Sequence, residues 1–132
     1  MRFCVDAASR VPIFEQLVRQ VRHAIAGGLL NEGDQLPTVR ELAVTLLINP
    51  NTVQKAYAEL ASAGLITSRK GLGAFVQSVR PHLDAPERRR RLDAATEDYV
   101  TEGLLLGYSA RELREGLSRR LSALGLEGNA DD

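Results

Sequence analysis

The chain has 132 residues, 44% of them hydrophobic and 26% charged. That length suits one domain, or one small domain with an appendage, and the composition excludes a chain disordered throughout. Seventeen lysines and arginines balance 17 aspartates and glutamates, which excludes a basic shell over the whole surface but leaves room for a local cationic patch.

Three stretches of helical period precede residue 65. The first runs from Pro12 to about Ala26, with Ile13, Leu17, Val21 and Ile25 spaced four apart. Pro12 suits the first helical position and Gly27-Gly28 stops the helix. A connector with the turn triplet Glu32-Gly33-Asp34 follows. The second helix, Val39 to about Leu46, opens on a capping-box pattern, Thr38 with Glu41, and turns Leu42, Ala43 and Leu46 inward. The third takes Asn49 as N-cap and Pro50 as first residue, continues to Ala63 and ends at Gly64, with Val53, Ala56, Tyr57 and Leu60 as its apolar stripe.

The period then changes. Leu65–Arg69 reads as a strand, Lys70–Gly73 as a turn and Ala74–Gln77 as the returning strand. Two helices joined by a short turn, then a β-hairpin, is the order of a winged helix-turn-helix. The expected fold is therefore mainly α with a small β-hairpin, with residues 8–78 as the winged helix-turn-helix. Residues 79–86, bracketed by Pro81 and Pro86, read as a linker. Residues 87–126 read as a helical hairpin: one helix from Pro86 to Leu106, a break at Gly107, and a second helix from the Ser109/Glu112 capping-box pattern to Leu124 and Gly125. Residues 127–132 form an acidic tail expected to be frayed.

The segment from Leu36 to Gly73 carries the chemistry. With Val53, Tyr57 and Leu60 turned inward, Asn51, Thr52, Gln54 and Lys55 must point outward or sideways, all in the first two turns of the third helix. Asn and Gln can pair bidentately with adenine's major-groove edge, and a Thr hydroxyl can take a phosphate or a base. The N-terminal half of such a helix is the part that reaches base edges when a helix-turn-helix docks. On an isolated helix these residues would merely be solvated. Here Arg40 from the second helix and Arg69-Lys70 at the hairpin tip add donors, and Gly71 lets the backbone approach a sugar-phosphate strand. Residues 1–78 carry eight basic and six acidic side chains, against nine and eleven in the rest. This asymmetry supports nucleic-acid binding only weakly.

Four segments, Leu36-Pro37-Thr38-Val39-Arg40-Glu41-Leu42-Ala43, Ile48–Tyr57, Gly64-Leu65-Ile66 and Gly71–Val76, resemble in order and spacing the DNA-binding domain of the GntR family of bacterial transcription regulators. The Asn-Pro-Asn-Thr-Val segment and the short two-helix C-terminus resemble its YtrA subfamily. The resemblance implies a repressor of promoter DNA, with transporter genes as targets. It also implies that Arg40 contacts DNA from the second helix, that Asn49, Asn51, Thr52 and Gln54 are recognition-helix contacts, and that Lys70 and Gly71 enter the minor groove. With Thr38, Lys55 and Arg69, these complete the candidate DNA-binding set. One departure stands out: Leu47 occupies the turn position where members of the resembled family usually have glycine, and a left-handed leucine is strained.

In the C-terminal half, Leu113, Leu117, Leu121 and Leu124 line one side of the last helix, facing Leu92, Ala95, Tyr99 and Leu106. Two helices cannot enclose a core, so a homodimer through Leu92, Tyr99, Leu106, Leu113, Leu117, Leu121 and Leu124 is the expected solution, with packing onto the first helix as the alternative. Arg88–Arg91 either hold phosphates or an acidic partner, or pair with helical neighbours such as Asp93 and Asp98; a cationic first turn also calls for a compensating anion. About fifty residues are too few to enclose a pocket of the usual ~300 Å³ unless two subunits share it, so the effector, if any, stays unknown.

Nothing in the chain points to an enzyme, a cofactor or a metal. Cys4 is the single cysteine and lies in a start expected to be flexible; His23 and His82 have no nucleophile or ligand at motif spacing. The start has no apolar signal stretch, and no apolar run approaches the ~18 residues of a membrane span, so a cytoplasmic protein is expected. The partners expected are a double-stranded DNA operator and a second copy. A winged helix used as a protein-interaction module without DNA is the other reading, and it would need an apolar outer face on the third helix.

Overall fold

In the computed structural model, residues 1–77 and 83–126 are described, and the chain divides into two compact units, Met1–Arg80 and Pro81–Asp132. The expected linker lies partly, and the expected acidic tail, His82 and Pro81 wholly, outside the described residues.

The first unit contains helices α1 (Ile13–Ala26), α2 (Val39–Leu46) and α3 (Pro50–Ser62), followed by strands β1 (Ile66–Arg69) and β2 (Gly73–Val76). Leu17, Val21, Val53, Leu60 and Ile66 form the fully buried centre, so α1, α3 and β1 meet over one core. Pro12 sits at the N-cap of α1, one position earlier than its spacing predicts. Thr38 Oγ1 accepts from the Glu41 N–H at the start of α2, but only this half of the predicted capping box forms. The turn into α3 is made by Leu47 itself, in the left-handed conformation at φ 56° and ψ 46°. The N-terminal arm is not the loose start expected of it. Gln20 Oε1 accepts from the Cys4 N–H at 2.9 Å and Gln16 Oε1 from the Asp6 N–H at 2.8 Å, while Phe3 and Val5 pack against the core.

β1 and β2 pair antiparallel, Ile66 with Val76 through Arg69 with Gly73. Ile66, Ala74 and Val76 turn to the core, which leaves Thr67, Arg69, Gly73 and Phe75 on the outer face. The other edge of β2 is occupied as well. The connector between α1 and α2 runs antiparallel to it: Val76 N–H donates to Asp34 O (2.8 Å) and Leu36 N–H to Ala74 O (2.9 Å), and Gln35 bridges Phe75. A segment read from sequence as a connector with a turn thus pairs with β2 through an isolated bridge.

The second unit is a helical hairpin of α4 (Ala85–Leu105) and α5 (Ala110–Ala123). Asp84 caps α4, accepting from Glu87 N–H, so the helix starts at Ala85, one residue before the expected Pro86. The Ser109/Glu112 capping box forms in full. The arginine run finds its partners toward the N-terminus as well as downstream. Glu87 receives Arg90 Nε at 2.9 Å and Arg91 Nε at 3.2 Å, and Arg89 reaches Asp93. Asp93 is thus engaged as expected, by Arg89, while Arg90 and Arg91 turn back to Glu87, which in the first turn also complements the helix dipole. Hydrogen bonds from Arg90 and Arg91 hold the Glu87 carboxyl below its ordinary value.

The two helices interlock at glycines. Leu113 Cδ2 occupies the space where a Cβ on Gly103 would stand, 2.1 Å away. Tyr99 donates its hydroxyl to Leu113 O at 2.6 Å, close over Gly116. Gly103 is the one buried residue among those described in this unit, and an open cleft of about 350 Å³ lies between α4 and α5, bordered by Tyr99, Leu106, Tyr108 and Leu113.

Candidate nucleic-acid interface

Helix α3 is built to present one face. Asn49 Oδ1 accepts the Asn51 N–H at 2.8 Å, and Pro50 follows at the first helical position, where its missing N–H removes no bond. Val53, Ala56, Tyr57 and Leu60 are buried, so Asn51, Gln54 and Lys55 are exposed and Thr52 is half-buried at the edge. The polar edge predicted for this helix is open to solvent.

Tyr57 does more than fill the core. Its hydroxyl donates to Pro37 O at 2.7 Å, tying the middle of α3 to the entry of α2. Burial, and secondarily the Glu41 carboxylate, push its ionisation far up, so the hydroxyl remains a donor at any physiological pH. With both helices pinned together and the hairpin packed behind them, a concavity of about 270 Å³ forms. Thr38 and Val39 of α2, Gln54 and Tyr57 of α3 and the hairpin tip around Arg69, Lys70 and Gly71 line it.

Five predicted residues, Thr38, Gln54, Arg69, Lys70 and Gly71, therefore share one concave surface. Arg40, Asn49 and Asn51 are exposed on α2 and at the start of α3 but do not line that concavity. Lys55 is exposed and turned sideways, its ammonium 3.9 Å from the centroid of the Phe14 ring on α1. The Arg69 guanidinium lies 4.6 Å over the ring of Phe75, diagonally across the hairpin on its outer face.

The hairpin tip is a tight turn. Leu72 N–H donates to Arg69 O at 2.9 Å and Gly71 holds φ 78°, a conformation that L side chains avoid. Sequence reasoning missed Gln35, whose amide reaches this turn, along with Phe14 and Phe75 as seats for the two cations. The signal for Gln35 was thin: a polar residue two positions before Pro37, itself unable to donate to a neighbouring strand. Among the described residues no group of three or more His, Cys, Asp or Glu could hold a metal ion, and no helix is long and apolar enough to cross a membrane.

The family model described as "Bacterial regulatory proteins, gntR family" matches residues 13–76. The chain is 43% identical over 72 residues to the HTH-type transcriptional repressor YtrA of Bacillus subtilis (strain 168), covering 54% of this chain and 55% of that protein, so the match spans about half of YtrA. It is 39% identical over 105 residues to the HTH-type transcriptional regulator Rv1152 of Mycobacterium tuberculosis, covering 80% of this chain and 82% of that one. Among solved structures, the transcriptional antiterminator of Listeria monocytogenes EGD-e superposes with a TM-score of 0.80 at 27% identity, over 97% of this chain and 95% of that chain. The DNA-binding domain of AraR in complex with operator ORX1 superposes with a TM-score of 0.50 at 28% identity, over 56% of this chain and 92% of that one.

Proposed function

The chain belongs to the gntR family of bacterial regulatory proteins, and from that premise we propose that it is a sequence-specific, DNA-binding repressor acting in the cytoplasm as a homodimer on a pseudo-palindromic operator. The family is one of non-enzymatic transcription regulators. The observation that carries the reading is the single concavity shared by Thr38, Gln54, Arg69, Lys70 and Gly71. It joins three chain segments, as a surface that follows a groove and its flanking phosphates requires. Residues 8–78 would bind the duplex. Gln54, Asn51 and Thr52 would meet base edges, Asn49 and Arg40 the same strand region, and Lys70-Gly71 the adjacent minor groove. Lys55 would leave Phe14 to reach a phosphate. The outer face of α3 offers polar side chains rather than the apolar patch a protein-docking role would need.

Residues 87–126 would dimerise. In the helical hairpin Leu92 (56%), Tyr99 (43%), Leu106 (66%) and Leu117 (52%) remain exposed, and Leu113, Leu121 and Leu124 are half-buried. Two helices cannot cover that much apolar surface alone, whereas a second copy covers it and duplicates the reading face. Repression would follow from occupying promoter DNA, with genes for a membrane transporter as the targets suggested by the YtrA-like segments.

The test is a binding titration against sheared genomic DNA with wild type and an Arg40→Ala/Gln54→Ala variant of unchanged helicity. The variant should bind at least about tenfold more weakly and lose sequence preference, and wild-type affinity should fall steeply with salt. Unchanged affinity and preference would reject the reading face. Sedimentation of the full chain as a monomer at micromolar concentration would reject the dimer.

A further inference from the structure

The outer edge of β2 ends before the hairpin does. Along the connector, Asp34 and Leu36 pair with Val76 and Ala74, and the next donor in that antiparallel ladder would be residue 38, opposite Leu72. The chain leaves the ladder before that point, because Thr38 is already the N-cap of α2. The Leu72 carbonyl is satisfied instead by a side chain. Gln35 Nε2 donates to it at 2.8 Å, and it passes so close to Gly73 that a Cβ there would stand 3.2 Å from the nitrogen. From the inner side, Leu72 N–H closes on Arg69 O. Leu72 is thus held through both its carbonyl and its N–H, and the residues enclosed by the turn that it closes are Lys70 and Gly71.

We propose that Gln35 is a positioning residue for DNA binding, holding the Lys70-Gly71 tip in its working geometry through the bond to Leu72 O; this rests on the reading of the hairpin as a wing. A two-stranded hairpin with four-residue strands is marginal by itself. A tip ordered before the duplex arrives avoids the ordering cost that would otherwise weaken binding.

The experiment compares wild type, Gln35→Met (similar length, no donor), Lys70→Ala and the double variant. Each full chain is titrated over a range of salt with a fragment that wild type retains from sheared genomic DNA. Gln35→Met should bind roughly three- to tenfold more weakly at fixed salt. Both single variants should lower the slope of log affinity against log salt by about one, the loss of one phosphate contact. The double variant should bind no more weakly than Lys70→Ala. A purely structural role for Gln35 would shift the melting temperature and leave the salt slope alone. The inference is overturned if Gln35→Met keeps the wild-type slope, if the two losses multiply, or if Lys70→Ala binds like wild type. A wild-type chain that retains no fragment refutes the DNA reading itself, and this inference with it.

Discussion

Leu47 holds φ 56° and ψ 46° with its side chain 90% exposed. A non-glycine residue in this conformation sets its Cβ against the following carbonyl, at about 1–2 kcal/mol. Almost none of that strain can be recovered by burial, because only a tenth of the side chain is covered. In Leu47→Gly the strain is relieved, against a larger loss of unfolded-chain entropy of about 0.4–1 kcal/mol. The net expectation is stabilisation by about 0.5–1 kcal/mol, or roughly 2–8 °C in the melting temperature of a unit this size. Urea unfolding followed by circular dichroism measures it, with a raised midpoint and an unchanged m-value. Leu47→Ala is the control: it removes the leucine but keeps a Cβ, so it should stay near wild type. If Leu47→Ala stabilises as much as Leu47→Gly, the gain comes from removing an exposed apolar side chain, and the backbone argument fails. If Leu47→Gly is neutral or destabilising, the strain is not there.

Three other expectations follow from the packing and the charges. Gly103→Ala drives a methyl into Leu113 and should destabilise the full chain by about 1–3 kcal/mol in denaturant, with reduced helicity; wild-type stability would show that α4 and α5 do not interlock there. Tyr57→Phe removes the bond to Pro37 O and should cost about 1 kcal/mol while leaving the core packed, which a shift in urea midpoint reads directly. Glu87 is held below the ordinary carboxylate range by Arg90 and Arg91. Its folded value being lowered, the stabilisation it gives is present above the unfolded value and fades as pH falls through the folded one. Carboxyl NMR titration should find its midpoint lowered in wild type and moved up in Arg90→Ala/Arg91→Ala; identical midpoints would refute the assignment.

The helices were legible because their information is local. Apolar spacing, Asn49-Pro50, Thr38 and Ser109 specify starts and inner faces within a few residues, and Gly64, Gly107 and Gly125 mark the ends. Leu47 was flagged by its mismatch with the turn, and the structure resolves that mismatch by straining the residue rather than rebuilding the loop. What stayed hidden depends on residues far apart in the chain. The pairing of Gln35 with β2 joins positions 40 apart, and nothing near Gln35 announces it. Nothing near Gly103 announces its role either, since the leucine that needs its bare backbone is ten residues on, across a turn. Lys55 fell among the outward residues by helical angle, but angle alone does not reveal that the ring of Phe14 is within reach. The exposure of the predicted reading edge was legible; the concavity that gathers Thr38, Gln54 and the hairpin tip was not, because three separate packing events create it.

The fit of Leu113 against Gly103 has a consequence for how the C-terminal helices can slide. Moving α5 along α4 by about one turn would bring the side chain of Tyr99 or Leu106, the neighbours of Gly103 on the same helix face, to the place that now has none, so the methyl meets a wall in either direction. The notch acts as a detent: it sets the longitudinal phase of the pair to one value and keeps the spacing of every leucine on its outer flanks constant from molecule to molecule.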